Sequence, residues 1–152
     1  MLNVEIVLAI FGASNRGKTS IISKIYDIFT NISNTEILYT SKNSQTKDFL
    51  AIIKYYGKVI AFASSGDNEE IAKTNIEKIE KELLKLNISK VDYYICATRT
   101  SGGSVKSTNN IIAKDIVWFD DINLTYDTKI PNPNIIDLYI DFQVKRVLNH
   151  IK

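Results

Sequence analysis

The sequence predicts an α/β fold: a three-layer α/β/α sandwich built on one mostly parallel sheet with a single hairpin strand. Three observations point there. Apolar, strand-like runs alternate with segments of helical period. The crossovers between runs are about 20–30 residues long, enough for a helix and a return to the sheet. The first run breaks into a glycine-bounded turn that leads at once into an amphipathic stretch.

The elements follow in chain order. Val4–Phe11 is apolar apart from Glu5, the pattern of a central strand covered on both faces. The apolar stretch from Met1 to Ala13 has no basic start, so it reads as a buried strand and not as a secretion signal. Lys18–Phe29 places Ile21, Ile22, Ile25, Ile28 and Phe29 near a 3.6-residue period and predicts a helix. Glu36–Thr40 predicts a short strand. Phe49–Tyr56 and Lys58–Ala63 are β-rich and flank Gly57, which predicts a hairpin. Asp67 or Asn68 then caps a helix running to about Leu86, with Glu69 and Glu70 at the positive end of its dipole. Its core stripe is Ala72, Ile76, Ile79, Leu83 and Leu86. Val91–Thr98 is a second buried strand, Ser101–Ser104 a turn, Val105–Ala113 a modest helix and Ile116–Phe119 a last short strand. Asp120–Asn134 reads as a loop punctuated by Pro131 and Pro133, and Ile135–Ile151 as a closing amphipathic helix.

Composition bounds the function classes. A chain of 152 residues, 45% hydrophobic and 24% charged, suits one domain spanning 1–152 with a sizeable core. The net charge of +2 and the absence of a dense Lys/Arg run give no indication of a nucleic-acid partner. Cys96 is the sole cysteine and His150 the sole histidine, which sets aside an internal disulfide, zinc chemistry and Cys–His catalysis. No apolar run reaches the roughly 18–20 residues of a membrane span. The expectation is a cytoplasmic protein with no membrane partner.

Gly12-Ala-Ser-Asn-Arg-Gly17-Lys18-Thr19 matches the pattern G-x-x-x-x-G-K-[ST] in full. A strand must turn sharply into a helix there while its amides face inward, and Gly12 and Gly17 tolerate backbone angles that a Cβ would obstruct. A nest of amides backed by a helix N-terminus suits a multiply charged anion. Lys18 is a flexible point charge for the β- and γ-phosphates, and the Thr19 hydroxyl is a hard oxygen ligand for Mg2+.

With that motif in its strand–turn–helix setting, the first roughly 30 residues resemble the P-loop NTPase superfamily. The resemblance implies a P-loop NTPase-like fold with Gly12–Thr19 as the nucleotide-phosphate site, Lys18 as the phosphate lysine and Thr19 as the magnesium ligand. The expected cofactors are ATP, with GTP the less favoured nucleotide, and Mg2+. The expected binding set is Gly12, Ser14, Asn15, Arg16, Gly17, Lys18, Thr19, Ser20 and Gly66.

The second half of such a site needs an acid at the end of a neighbouring apolar strand. Laid against the D-x-x-G of small GTPases, Lys58–Ala63 and the Ser64-Ser65-Gly66-Asp67 that follows keep the glycine as Gly66, but Ala63 stands where the aspartate would be. Either Ser64 or Asp67 then supplies the second metal contact, with Ser64 the expected ligand beside Thr19, or metal binding is weak. Asp67 is expected to place water, a role open alongside that of a plain helix cap. Arg99, at the end of Val91–Thr98, is expected to stabilise transferring charge, with Lys18 and Asp67 completing the catalytic set; a solvated loop residue is the alternative for Arg99. Ala97-Thr98-Arg99-Thr100 lacks the acid with which N-K-x-D reads guanine, which favours ATP. Three functions are compatible with these residues: Mg-dependent ATP hydrolysis or an ATP-gated binding role, a nucleotide or small-molecule kinase, and a GTPase-like switch without the usual base motif. A small-molecule or protein partner is expected at the loops 41–47 and 120–134.

Overall fold

The computed structural model describes residues 1–11, 18–65, 69–98, 111–120 and 133–151. Six strands and three helices run in the order β1 (Leu2–Phe11), α1 (Lys18–Thr30), β2 (Thr35–Lys42), β3 (Phe49–Tyr55), β4 (Lys58–Ala63), α2 (Glu69–Lys85), β5 (Val91–Thr98), β6 (Ile111–Asp120) and α3 (Pro133–Leu148). They form one sheet in the order β2-β3-β4-β5-β1-β6. β1 pairs in parallel with β5 and β6, and β4 in parallel with β5. β2–β3 and β3–β4 are antiparallel.

The sheet is therefore mixed, and the expected mostly parallel three-layer sandwich of P-loop NTPase type is corrected to a strand-rich, partly antiparallel α/β arrangement. The physical cause lies in the connections. Loops of a few residues at 43–48 and 56–57 can only fold a strand back beside its predecessor, whereas parallel neighbours need a long crossover. A second correction concerns β6. Ile111–Ala113, expected at the end of a helix, instead extends the strand back to pair with Leu2–Val4. β-branched residues lying beside a strand of like length gain more from that ladder than from one weak helical turn. The rest of the expected Val105–Ala113 helix falls outside the described residues. Pro133, expected in a loop, opens α3, where its fixed φ and missing N–H suit a first helical position.

Side chains sort onto the two faces of the sheet. On one, Leu8 and Ile10 of β1 pack with Ile21, Ile22, Ile25 and Phe29 of α1 and with Tyr139, Ile140, Val144 and Val147 of α3. On the other, Val7 and Ala9 pack with Ile76, Ile79 and Leu83 of α2. The alternation slips near the start of β1: Val4 lies on the α2 face and Ile6 on the α1 face. Glu5 occupies the slip, and its carboxylate takes ion pairs from Lys90, just before β5, and from Lys114 of β6 at 3.1 Å. Those two ammonium groups hold the Glu5 carboxyl below its ordinary range.

Two chain reversals use left-handed backbone. Tyr56 (φ 47°) and Gly57 (φ 79°) form the two-residue link of the β3–β4 hairpin, both in the left-handed region that a type I′ turn requires. α2 ends with Asn87 at φ 57°, where Ile88 N–H donates to Leu83 O (3.0 Å) and Asn87 N–H to Leu84 O (3.2 Å). That pattern satisfies the last carbonyls of the helix. Among the described residues no helix is long and apolar enough to cross a membrane.

Candidate functional site

The carboxyl ends of β1, β4, β5 and β6 lie along one rim of the sheet, since Phe11 pairs with both Thr98 and Asp120 and Ala63 with Cys96. Antiparallel β3 reaches the same rim with its beginning, because Leu50 pairs with Ala63. The residues just before β3 therefore join the ends of the parallel strands.

Lys18 opens α1 beside this rim. It is 6% exposed, and its Nζ donates to the carbonyl of Thr98, the last residue of β5, at 3.2 Å. A cation so buried is held only by close oxygen acceptors. Thr19, half-buried, has its Oγ1 3.2 Å from the Ser64 carbonyl and 3.4 Å from Asp48 Oδ1. A hydroxyl has one proton to donate, to either oxygen, and keeps its lone pairs for a cation. Ser20, next on α1, is exposed.

Ser64 is fully buried and extends the β3–β4 ladder by one step. Its Oγ accepts from Phe49 N–H at 2.7 Å and its own N–H donates to Phe49 O at 3.1 Å. It meets Thr19 through its main-chain carbonyl, while its hydroxyl is engaged by the strand. Gly12, Ser14, Asn15, Arg16 and Gly17 of the phosphate loop, Gly66 and Asp67 after β4, and Arg99 after β5 lie outside the described residues.

Asp48 is the acid that sequence reasoning missed. The search for a carboxylate followed the end of β4, where Ala63 stands, whereas this one precedes β3. The loop that presents it is internally tied. Asn43 Oδ1 accepts from Gln45 N–H (2.9 Å) and Thr46 N–H (3.2 Å), Asn43 N–H donates to Asp48 O (2.7 Å), and Asp48 N–H donates to Thr46 Oγ1 (3.3 Å). Lys47 takes a left-handed φ of 65° to complete the return. An Asn-led polar cluster closing a hairpin is a readable turn signal; its acid gains meaning only once β3 is known to run against β4.

A cleft of about 240 Å³ opens next to Asp48, between the 43–48 loop and α2. Asn75 and Lys78 of α2 and Ser65 line its far side. Asn75 is buried, and its Nδ2 donates to Ser65 O at 2.8 Å, which fixes the chain just beyond Ser64.

Among the described residues the atoms placed at Thr19 Oγ1 are oxygens, those of the Asp48 carboxylate and the Ser64 carbonyl, a donor type that fits a hard cation such as Mg2+. Among the described residues no group of three or more His, Cys, Asp or Glu side chains comes together. Mg2+ bound with phosphates needs one or two protein oxygens and keeps several waters, so the Thr19 hydroxyl is the described group that would hold it. Of the expected loops, 43–47 borders the cleft, Ser41 and Lys42 belong to β2, and 121–132 is outside the described residues. No family model, curated protein or solved structure matches this chain.

Proposed function

We propose that this chain binds a nucleoside triphosphate, ATP in preference to GTP, and with Mg2+ transfers its γ-phosphoryl group, to water in the simplest case. The observation that carries the reading is the meeting of Lys18 and Thr19 with the Asp48 carboxylate on one rim. Lys18 and Thr19 are the last two positions of the phosphate-loop pattern, and their contacts with Thr98 O and Ser64 O at the ends of β5 and β4 support the reading.

The roles follow from the groups. The Lys18 ammonium exchanges the Thr98 carbonyl for phosphate oxygens and neutralises charge that grows on them during transfer. The Thr19 hydroxyl, its proton directed to Ser64 O or Asp48, turns a lone pair toward the phosphate side. Mg2+, when bound, supplies charge neutralisation and orients the terminal phosphate oxygens. Asp48 orients the attacking oxygen and takes its proton. ATP is favoured because Ala97-Thr98-Arg99-Thr100 carries no acid to read guanine.

Calorimetry on Lys18→Ala tests the reading. Loss of about 2–3 kcal/mol of charge-assisted contacts weakens ATP binding about 100-fold. Unchanged affinity removes the phosphate site, and a clear preference for GTP in competition removes the assignment of the base. The cleft beside Asp48 favours a second reading, transfer to an alcohol in place of water.

A further inference from the structure

We infer that the cleft between the 43–48 loop and α2 is an acceptor site for a small polyhydroxylated compound, of monosaccharide or polyol size, whose hydroxyl group receives the γ-phosphoryl group. The inference rests on the ATP reading of the adjoining rim. Continuity is the first argument: Asp48 belongs to both, its carboxylate 3.4 Å from Thr19 Oγ1 and its side chain in the wall of the cleft. An oxygen held in the cleft at Asp48 stands next to the place where the terminal phosphate meets Lys18 and Thr19.

Size is the second. At about 240 Å³ the cleft is below the ~300–1,000 Å³ typical of drug-sized ligands, so it takes a compact molecule and not a whole nucleotide. Its chemistry is the third. The Ser41 and Thr46 hydroxyls can both donate and accept, Asn43 keeps its Nδ2 donors beside an engaged Oδ1, and Asn75 keeps its Oδ1 acceptor beside an engaged Nδ2. That mix suits several alcohols, while Leu50 and Ile71 offer apolar surface for carbon-bound hydrogens. Among the described lining residues Lys78 is the one cation, too little for a phosphorylated acceptor. A nucleobase would require an aromatic platform. The ring of Phe49 is committed to Tyr26 (5.1 Å between centroids) and to Phe62, in the core on the α1 face, so it is not available for stacking.

In the step, the acceptor hydroxyl oxygen forms a bond to the γ-phosphorus and the bond from that phosphorus to the β,γ-bridging oxygen breaks. The electron pair of the broken bond leaves with the nucleoside diphosphate, and the hydroxyl proton passes to the Asp48 carboxylate and on to solvent. Such transfer is mainly positioning and charge stabilisation, which the cleft and the rim divide between them.

The full chain is incubated with Mg2+ and ATP labelled at the γ-phosphate, against monosaccharides, linear polyols and nucleosides, while calorimetry records ATP binding. The expected result is a labelled sugar or polyol phosphate. Ser41→Trp and, separately, Lys78→Trp, both at exposed positions on the cleft wall, lower its formation about tenfold or more by filling the acceptor volume. ATP binding with a labelled nucleoside, or with free phosphate as the only labelled product, overturns the acceptor assignment and leaves the nucleotide reading standing. Product at the wild-type rate in both folded Trp variants also overturns it, as does loss of ATP affinity in them, which would assign the cleft to the nucleotide. No ATP binding by the wild-type chain defeats both readings.

Discussion

At residue 48 a carboxylate stands 3.4 Å from the Thr19 hydroxyl, while the last residue of β4, Ala63, has only a methyl group to offer. On the proposed function Asp48 and Asp67 are the two candidates for placing the attacking oxygen, and substitution separates them. Asp48→Asn keeps the shape and removes the proton acceptor, so ATP affinity should stay within a few-fold while turnover falls about 100-fold or more. Asp67→Asn should retain near wild-type turnover, since asparagine serves a helix N-cap as well as aspartate does. Phosphate release under saturating ATP measures both, and a reversed ranking returns the role to Asp67. Lys18 belongs at this scale too: its burial against the Thr98 carbonyl holds the ammonium at the rim.

Among the elements, the β3–β4 hairpin sets the most, because its direction decides which residues reach the rim. Its turn depends on Gly57 at φ 79°, and a Cβ built there meets nothing within 4 Å. The cost of Gly57→Ala is therefore purely conformational, about 1 kcal/mol, and should appear as a lower urea midpoint with an unchanged m-value. A loss of several kcal/mol would mean that the turn is not of this type. Most elements were readable from pattern. Ile21, Ile22, Ile25 and Phe29 of α1 and Ala72, Ile76, Ile79 and Leu83 of α2 are buried as their periodicity required, whereas Ile28 is exposed and Leu86 only partly buried. The failures fell where pattern is weakest. Ile111–Ala113 carries a short apolar run that serves strand or helix equally, and the neighbouring β1 decided between them.

For the whole molecule, the sheet order places β4 and β5 at the centre, with helices packed on each face of the sheet, and Cys96 of β5 lies in that interior. Burial pushes its thiol up to about 12, so almost no thiolate exists at neutral pH. In the folded protein at pH 8, a disulfide reagent should label Cys96 at least about 100-fold more slowly than in denaturant, and only as fast as the sheet opens. Rapid labelling under native conditions would contradict the packing of β5 between β1 and β4. The same sheet order explains why the candidate site was only half legible. Lys18 and Thr19 were visible because a contiguous motif names them, whereas Asp48 lies 29 residues from Thr19 and joins it through two antiparallel pairings.

By itself the amino-acid order determined the local matters: where apolar runs make strands, where 3.6-residue stripes make helices, that Tyr56-Gly57 must turn, and that a lysine and a threonine follow a glycine-bounded loop. Periodicity, glycine φ freedom and motif spacing are properties of neighbouring residues, so a single chain displays them directly. Tertiary structure alone decided the mixed sheet, the extension of β6 and the arrival of Asp48 beside Thr19. Each depends on which strands pair and in which direction, and that choice is made by hydrogen-bond ladders and shared burial between segments far apart in the chain.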